Sequence, residues 1–188
     1  MKVILYLMFF ASPQTDLPWY ATIAEYVETC RSVSETRKLE AATTALQMLS
    51  IERSIGIPEH MLGMSLAAAC VESGFVSNAE GDHKFSRNGK PKAIGVLQLW
   101  PWVERYGVDR RNIASSTKFW VSHVVNIGAK TRKLCKPRNE RLAWKQAWVT
   151  AVRAPSKNGR CRQTPKHWKK FLKLRSILEK YEVRHDQA

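Results

Sequence analysis

Residues 59–72, Glu-His-Met-Leu-Gly-Met-Ser-Leu-Ala-Ala-Ala-Cys-Val-Glu, most constrain what this chain can fold into. Between its polar ends the stretch is apolar on nearly every face, and a helix with no polar side is a buried one. Other helices must therefore wrap it, and the rest of the sequence supplies them. Residues 19–31 and 34–55 read as helices, the second with Leu39, Ala42, Leu46 and Leu49 at helical spacing. Gly56-Ile57-Pro58 breaks that helix, and Pro58 suits the first turn of the central one. Gly74, just past Glu72-Ser73, is a natural left-handed terminator. Residues 101–105, 116–134 and 139–152 read as further helices, with Ser115 or Ser116 capping the second of these and Asn139 the third. Thr164-Pro165 opens a last helix that runs to about residue 184.

Residues 76–99 lack a helical period. Gly81-Asp82 and the turn pair Asn88-Gly89 predict a small β-hairpin or loop excursion there. The expected fold is mainly α, one domain with a small β element. At 188 residues, 44% hydrophobic and 25% charged, the chain can bury a sizeable core, which excludes the disordered and fibrous classes. No apolar run approaches the ~18 residues of a membrane-spanning helix. There is no internal repeat, no phosphate-cradling glycine loop, no Ser/His/Asp or Cys/His set and no metal-ligand spacing, so neither cofactor nor metal is expected.

The chain starts Met1-Lys2 and continues with nine mostly large apolar residues, Val3 to Ala11, ended by Ser12, Pro13 and Gln14. A positive start, a short apolar stretch and a small-residue exit describe a secretory signal; the other reading is a buried first element. Residues 1–18 are accordingly set apart as a signal or N-terminal segment. Export would let the four cysteines, Cys30, Cys70, Cys135 and Cys161, pair in any of three ways. Cys135 and Cys161 bracket a basic, loop-rich stretch and make the best candidate bridge, whereas Cys70, within the apolar helix, reads as a small core residue.

Charge is unevenly spread. The chain carries a formal +15, from 31 basic and 16 acidic residues. Residues 1–127 hold 13 basic and 12 acidic residues, and residues 128–188 hold 18 and 4. Nearly all the excess lies in the last third, which points to a near-neutral body, residues 19–155, and a basic C-terminal extension, 156–188, packed on it. In the last helix Phe171, Leu174, Leu178 and Tyr181 share one face, with Lys166, Lys169, Lys170, Lys173, Arg175 and Lys180 around the rest. Such a basic amphipathic helix suits an anionic polymer or lipid surface. A solvated face that only aids solubility is the plainer reading. No nucleic-acid-binding motif accompanies the charge, so no specific nucleic acid is expected.

Two stretches carry chemistry. Glu72 ends the all-apolar helix beside Ala68, Ala69, Cys70, Val71 and Phe75. Burial and the negative end of the helix dipole would both keep its carboxyl protonated, as a general acid requires. The second stretch is Ala93-Ile94-Gly95-Val96-Leu97-Gln98-Leu99-Trp100-Pro101. Gly95 permits a sharp bend or a close approach of backbone. Gln98 is an amide among apolar residues and must find hydrogen bonds. Trp100 and Trp102 offer faces on which sugars stack. Asp82 follows Gly81 and reads first as a turn residue, otherwise as a second carboxylate.

Taken in order, Ile57-Pro58, the helix ending Cys70-Val71-Glu72-Ser73-Gly74-Phe75, Gly81-Asp82, and Gly95-Val96-Leu97-Gln98 resemble the catalytic core of soluble lytic transglycosylases, which belong with the goose-type lysozymes. The resemblance covers roughly residues 56–135 and continues more weakly to about 155. It implies a lysozyme-like fold and cleavage of the β-1,4 bond between N-acetylmuramic acid and N-acetylglucosamine in peptidoglycan. It makes Glu72 the catalytic acid, with Ser73 orienting groups beside it and Gly95 and Gln98 lining the cleft. In one place the chain departs from the pattern. Where the family has Ala-Tyr-Asn-Ala-Gly, this chain reads Ala151-Val152-Arg153-Ala154-Pro155.

The chemistry then divides. A transglycosylase needs one carboxyl, which first protonates the glycosidic oxygen and then deprotonates the muramic 6-hydroxyl, leaving a 1,6-anhydro end. A hydrolase usually needs a second carboxylate to direct water, and Asp82 is the better candidate. The expectation is a monomeric lytic transglycosylase exported to the periplasm or cell wall, or delivered by a phage. It would act in wall remodelling or lysis, with Glu72 catalytic and Ser73, Asp82, Gly95, Gln98 and Trp100 binding substrate. The alternatives are a muramidase of the same fold and a weakly active peptidoglycan binder.

Overall fold

The computed structural model describes residues 17–30, 33–86, 88–136 and 166–185. These residues are mostly helical: α1 (Leu17–Glu28), α2 (Lys38–Ile55), α3 (Met64–Glu72), α4 (Ile113–Cys135) and α5 (Lys166–His185), with one two-stranded antiparallel sheet, β1 (Glu80–Gly81) and β2 (Ala93–Ile94). Several sequence expectations fall outside them: the segment over residues 1–16, the helix over 139–152, the Val152-Arg153 substitution and Cys161.

α3 is the buried centre. Every residue from Met64 to Cys70 is buried, and α2, α4 and α5 all pack on it. Ala67, Ala68 and Ala69 make that possible, because side chains this small let neighbours approach from all sides. α1 packs on α2 and α5. Trp168, Phe171, Leu174, Ile177 and Leu178 of α5 join the same core as Ile23, Tyr26 and Val27 of α1. The basic helix is therefore built into the core through its apolar face. Its ties extend to the backbone: Lys170 Nζ donates to the Thr29 carbonyl, and Arg175 Nη1 donates to the Glu59 carbonyl at 3.3 Å.

The central helix is shorter than expected. Residues Glu59–Met61 form a separate 3-10 turn, and α3 begins only after Gly63, which is left-handed at φ 90°. Pro58 thus precedes the 3-10 turn and does not open α3. The cause lies in α2. Glu52 is 0% exposed, and its carboxylate accepts from the Gly63 and Ser65 backbone N–H groups, the latter at 2.6 Å. A side chain from one helix thus caps the next, placing its carboxyl oxygens at the positive end of the α3 dipole. At Gly63 a Cβ would lie 2.2 Å from a Leu174 methyl, so α5 closes directly over this junction.

Other boundaries differ for similar local reasons. α4 starts at Ile113 because Asn112 caps it, its side chain accepting from the Ser115 N–H at 2.9 Å; Ser115 and Ser116 fall in the first turn. Leu39, expected on the apolar face of α2, is 51% exposed, since the face that packs runs through Ala41, Ala45, Met48 and Glu52. α2 ends at Gly56 and α3 before Gly74 as expected; Gly74 is left-handed as its reading required, and Gly56 is left-handed too. Cys70 is not a free core thiol: it is disulfide-bonded to Cys30, with Cα atoms 5.5 Å apart, and both residues are buried. Cys135 is disulfide-bonded as well. Among the described residues no helix is long and apolar enough to cross a membrane.

Burial pushes the Glu52 carboxyl up to about 7, against the pull of its N–H donors. The folded protein then keeps a proton that the unfolded chain releases in the ordinary carboxylate range, so this group stabilises most at low pH. As pH rises from about 4.5 to about 7 its contribution falls by about 3 kcal/mol and then levels off. The expected result is a melting temperature that declines over this interval in the wild type and declines less in Glu52→Gln. Parallel profiles for the two proteins would contradict it.

Candidate active site

Glu72 is the last residue of α3 and is exposed. The expectation that burial governs its carboxyl is corrected here. The buried part of α3 ends at Cys70; Val71 is half-buried and Glu72 exposed, while Phe75, three residues on, is fully buried. That reversal uses two successive left-handed residues, Gly74 at φ 60° and Phe75 at φ 65°. The second is costly for a residue with a Cβ, and burial of the phenyl ring offsets it. Among the described residues the fully buried carboxylate is Glu52. The α2 pattern carries the signal for it, since Glu52 follows Ala45, Met48 and Leu49 at spacings of seven, four and three on the apolar face.

Ser73 joins the helix end to the second motif. Its hydroxyl donates to the Val96 carbonyl at 2.7 Å, and lies 3.4 Å from the Ala69 carbonyl. Two motifs separated by 23 positions in sequence are thus fastened together directly beside Glu72. Ser73 acts as a tether, with its proton directed to the loop.

The loop itself is a tight hairpin. Ile94 and Leu99 exchange both backbone hydrogen bonds, at 3.1 and 2.9 Å, and residues 95–98 turn between them. Gly95 is left-handed at φ 84°, and a Cβ there would sit 1.8 Å from the Arg110 carbonyl oxygen. Gln98 is left-handed too, at φ 48°. Its amide nitrogen donates to the Ala79 carbonyl at 3.1 Å and the Gly95 carbonyl at 3.0 Å. Its amide oxygen lies against Gly81, where a Cβ would come within 2.4 Å. Both donor hydrogen bonds of this half-buried amide are therefore made to backbone carbonyls, one in the loop and one just before β1, so Gln98 fastens the loop to that segment. Arg110 braces the outside. One guanidinium nitrogen donates to the Lys92 and Leu99 carbonyls at 2.9 and 3.0 Å, while the group also pairs with Glu104 at 2.7 Å.

Asp82 is left-handed at φ 58° and accepts from the Trp100 indole N–H at 3.0 Å. The turn reading of Asp82 therefore describes its backbone, and its carboxylate fixes the indole. Trp100 is 39% exposed, with Phe85 tilted against it at 6.0 Å and the Lys92 ammonium 5.4 Å over its ring. The Asn88-Gly89 turn lies in the long loop between β1 and β2, whose register pairs Glu80 with Ile94 and Gly81 with Ala93. Arg111 pairs with Glu80 on the outer side of this sheet.

The arrangement presents an exposed carboxylate at a helix end, a loop tied to it, and a fixed, part-exposed indole with the Lys92 ammonium over its ring. Chemically it can offer a carboxyl as proton donor and acceptor on one side of the loop, and an indole face for a ring-bearing substrate where the chain leaves that loop. Compared with models of known families, with curated proteins and with solved structures, the chain matches none.

Proposed function

We propose that this protein is a lysozyme-like lytic transglycosylase that cleaves the β-1,4 bond between N-acetylmuramic acid and N-acetylglucosamine in peptidoglycan. The observation that carries the reading is the Ser73–Val96 hydrogen bond, which places the Glu-Ser helix end against the Gly95–Gln98 loop. In the proposed reaction Glu72 donates its proton to the glycosidic oxygen as the C1–O bond breaks. The resulting carboxylate takes the proton of the muramic 6-hydroxyl, whose oxygen bonds to C1. No water is consumed and Glu72 ends the cycle protonated. The engagement of Asp82 with the Trp100 indole favours this one-carboxylate route over a hydrolase that uses Asp82 on water. The test is a digest of purified peptidoglycan read by mass spectrometry: anhydromuramic ends support the transglycosylase, and reducing ends favour the muramidase.

The Cys30–Cys70 bridge suits an oxidising compartment, in keeping with export to the periplasm or wall. The basic last helix is the proposed contact with anionic envelope polymers. Positions 166, 169, 173, 180 and 184 recur at helical spacing along one face of α5 and are Lys, Lys, Lys, Lys and Arg. Of these, Lys169 and Lys173 are exposed. Reversing both to Glu is expected to weaken co-sedimentation with cell walls about tenfold at low salt. The difference should vanish near 0.5 M salt, where the Debye length has shrunk to roughly 4 Å. Equal binding of both proteins at low salt would reject the contact.

A further inference from the structure

Among the described residues six large hydrophobic side chains are exposed, and four of them, Phe85, Trp100, Trp102 and Tyr106, come from residues 85–106. Trp100 and Phe85 belong to the site above. Trp102 and Tyr106, 42% and 60% exposed, do not; they stand on the 3-10 helix Pro101–Tyr106 and meet Phe119 and His123 of α4. Trp102 packs edge-on to Tyr106 at 6.2 Å and to Phe119 at 5.8 Å, and tilted to His123 at 5.5 Å. Phe119 stacks between Tyr106 at 5.8 Å and His123 at 5.6 Å. Four rings from two elements thus brace one another, so little side-chain freedom remains to be lost on contact. Arg105 completes the cluster. Its guanidinium lies 4.9 Å from the Tyr106 ring centre and 5.8 Å from that of Trp102, and it donates to the Tyr106 hydroxyl at 3.0 Å.

We infer that Trp102, Tyr106 and Arg105 form a second glycan-binding face, one that takes a saccharide strand bearing carboxylates. Exposed, pre-ordered aromatic planes suit the apolar C–H faces of pyranose rings. Within the cluster the one permanent cation is the Arg105 guanidinium, beside the ring of His123, and the neighbouring Glu104 is paired with Arg110. One fork-shaped donor fits an isolated carboxylate. A row of phosphates calls for several cations in line. The face would hold the strand while Glu72 acts on it. The choice of peptidoglycan as ligand rests on the proposed function, but the binding does not require catalysis.

The test uses the full chain carrying Glu72→Gln, so that turnover cannot enter the readout. Pelleting with purified peptidoglycan is measured at 0.5 M salt, where the basic helix is screened. Trp102→Ala with Tyr106→Ala is expected to bind at least tenfold more weakly, and Tyr106→Ala alone, at the most exposed ring, severalfold more weakly. Arg105→Gln should cost severalfold at low salt and little at high salt. Undiminished pelleting of Tyr106→Ala, with an unchanged circular dichroism spectrum, overturns the inference. So does a result in which the ring variants lose affinity for a single-stranded oligonucleotide and keep it for peptidoglycan. If the wild type yields no cleavage products yet the ring dependence holds, the face stands and the Glu72 assignment falls.

Discussion

Glu72→Gln is expected to lower the rate of peptidoglycan cleavage by about a thousandfold or more while leaving the fold unchanged. Glutamine keeps the size and polarity of the side chain and cannot supply or accept the proton, and loss of general acid–base catalysis typically costs 10²–10⁴-fold. A single carboxyl that serves in both proton transfers stands at the upper end of that range. Because Glu72 is exposed at the end of α3, its substitution should alter stability by no more than about 0.5 kcal/mol. Glu52→Gln is the matching control: it changes a buried carboxylate that caps α3, so it should act on melting and on its pH dependence while cleavage by the folded fraction persists. A loss of activity in Glu52→Gln equal to that in Glu72→Gln, with both proteins folded, would mean that the chemistry had been assigned to the wrong end of the helix.

The second large effect is expected at Gly95. Alanine there meets two penalties. The left-handed backbone at φ 84° costs a residue with a Cβ about 1–2 kcal/mol. The added carbon would also stand 1.8 Å from the Arg110 carbonyl oxygen, and that backbone cannot easily retreat, because the Arg110 side chain is bonded to Lys92, Leu99 and Glu104. Together these should destabilise the protein by at least about 3 kcal/mol, or roughly 6–12 °C in melting temperature for a chain of this size. The loop would shift, and with it the Val96 carbonyl that holds Ser73, so cleavage should fall too. Gly89→Ala separates the two penalties. Gly89 has a similar φ of 71° but open space around the missing Cβ, so only the backbone cost remains, about 1–2 kcal/mol. Equal shifts in the two variants would show that the Arg110 contact carries no energy.

What could be read from the residues alone follows from how local each signal is. The buried centre was legible at Ala67-Ala68-Ala69, because an apolar stretch with no polar face admits one environment. So were the ends at Gly56 and Gly74, whose left-handed conformations are a property of the residue and its neighbours. The start of α3 was not, since the carboxylate that caps it comes from Glu52, 13 residues before Ser65. Nor was the pairing of Cys30 with Cys70. Residence in an apolar helix does not distinguish a packed thiol from a bridged one; what decides is the approach of the segment after α1 to α3. In the site, the sequence located the Glu72-Ser73 and Gly95–Gln98 segments but not the direction of their side chains. Glu72 turns outward because the buried part of α3 ends at Cys70. Ser73 and Gln98 turn inward because the carbonyls of Val96, Ala79 and Gly95 take up their donors. The partner of Trp100 was hidden for the same reason, as Asp82 reaches it across 18 positions.

The most direct measurement of the central claim is the chemistry of the new chain end when the purified protein digests peptidoglycan. The wild type is expected to give muropeptides ending in 1,6-anhydro-N-acetylmuramic acid, one water lighter than hydrolysed ends, and Glu72→Gln none above background. Reducing ends, products that persist in Glu72→Gln, or no products from a folded wild type would each contradict it.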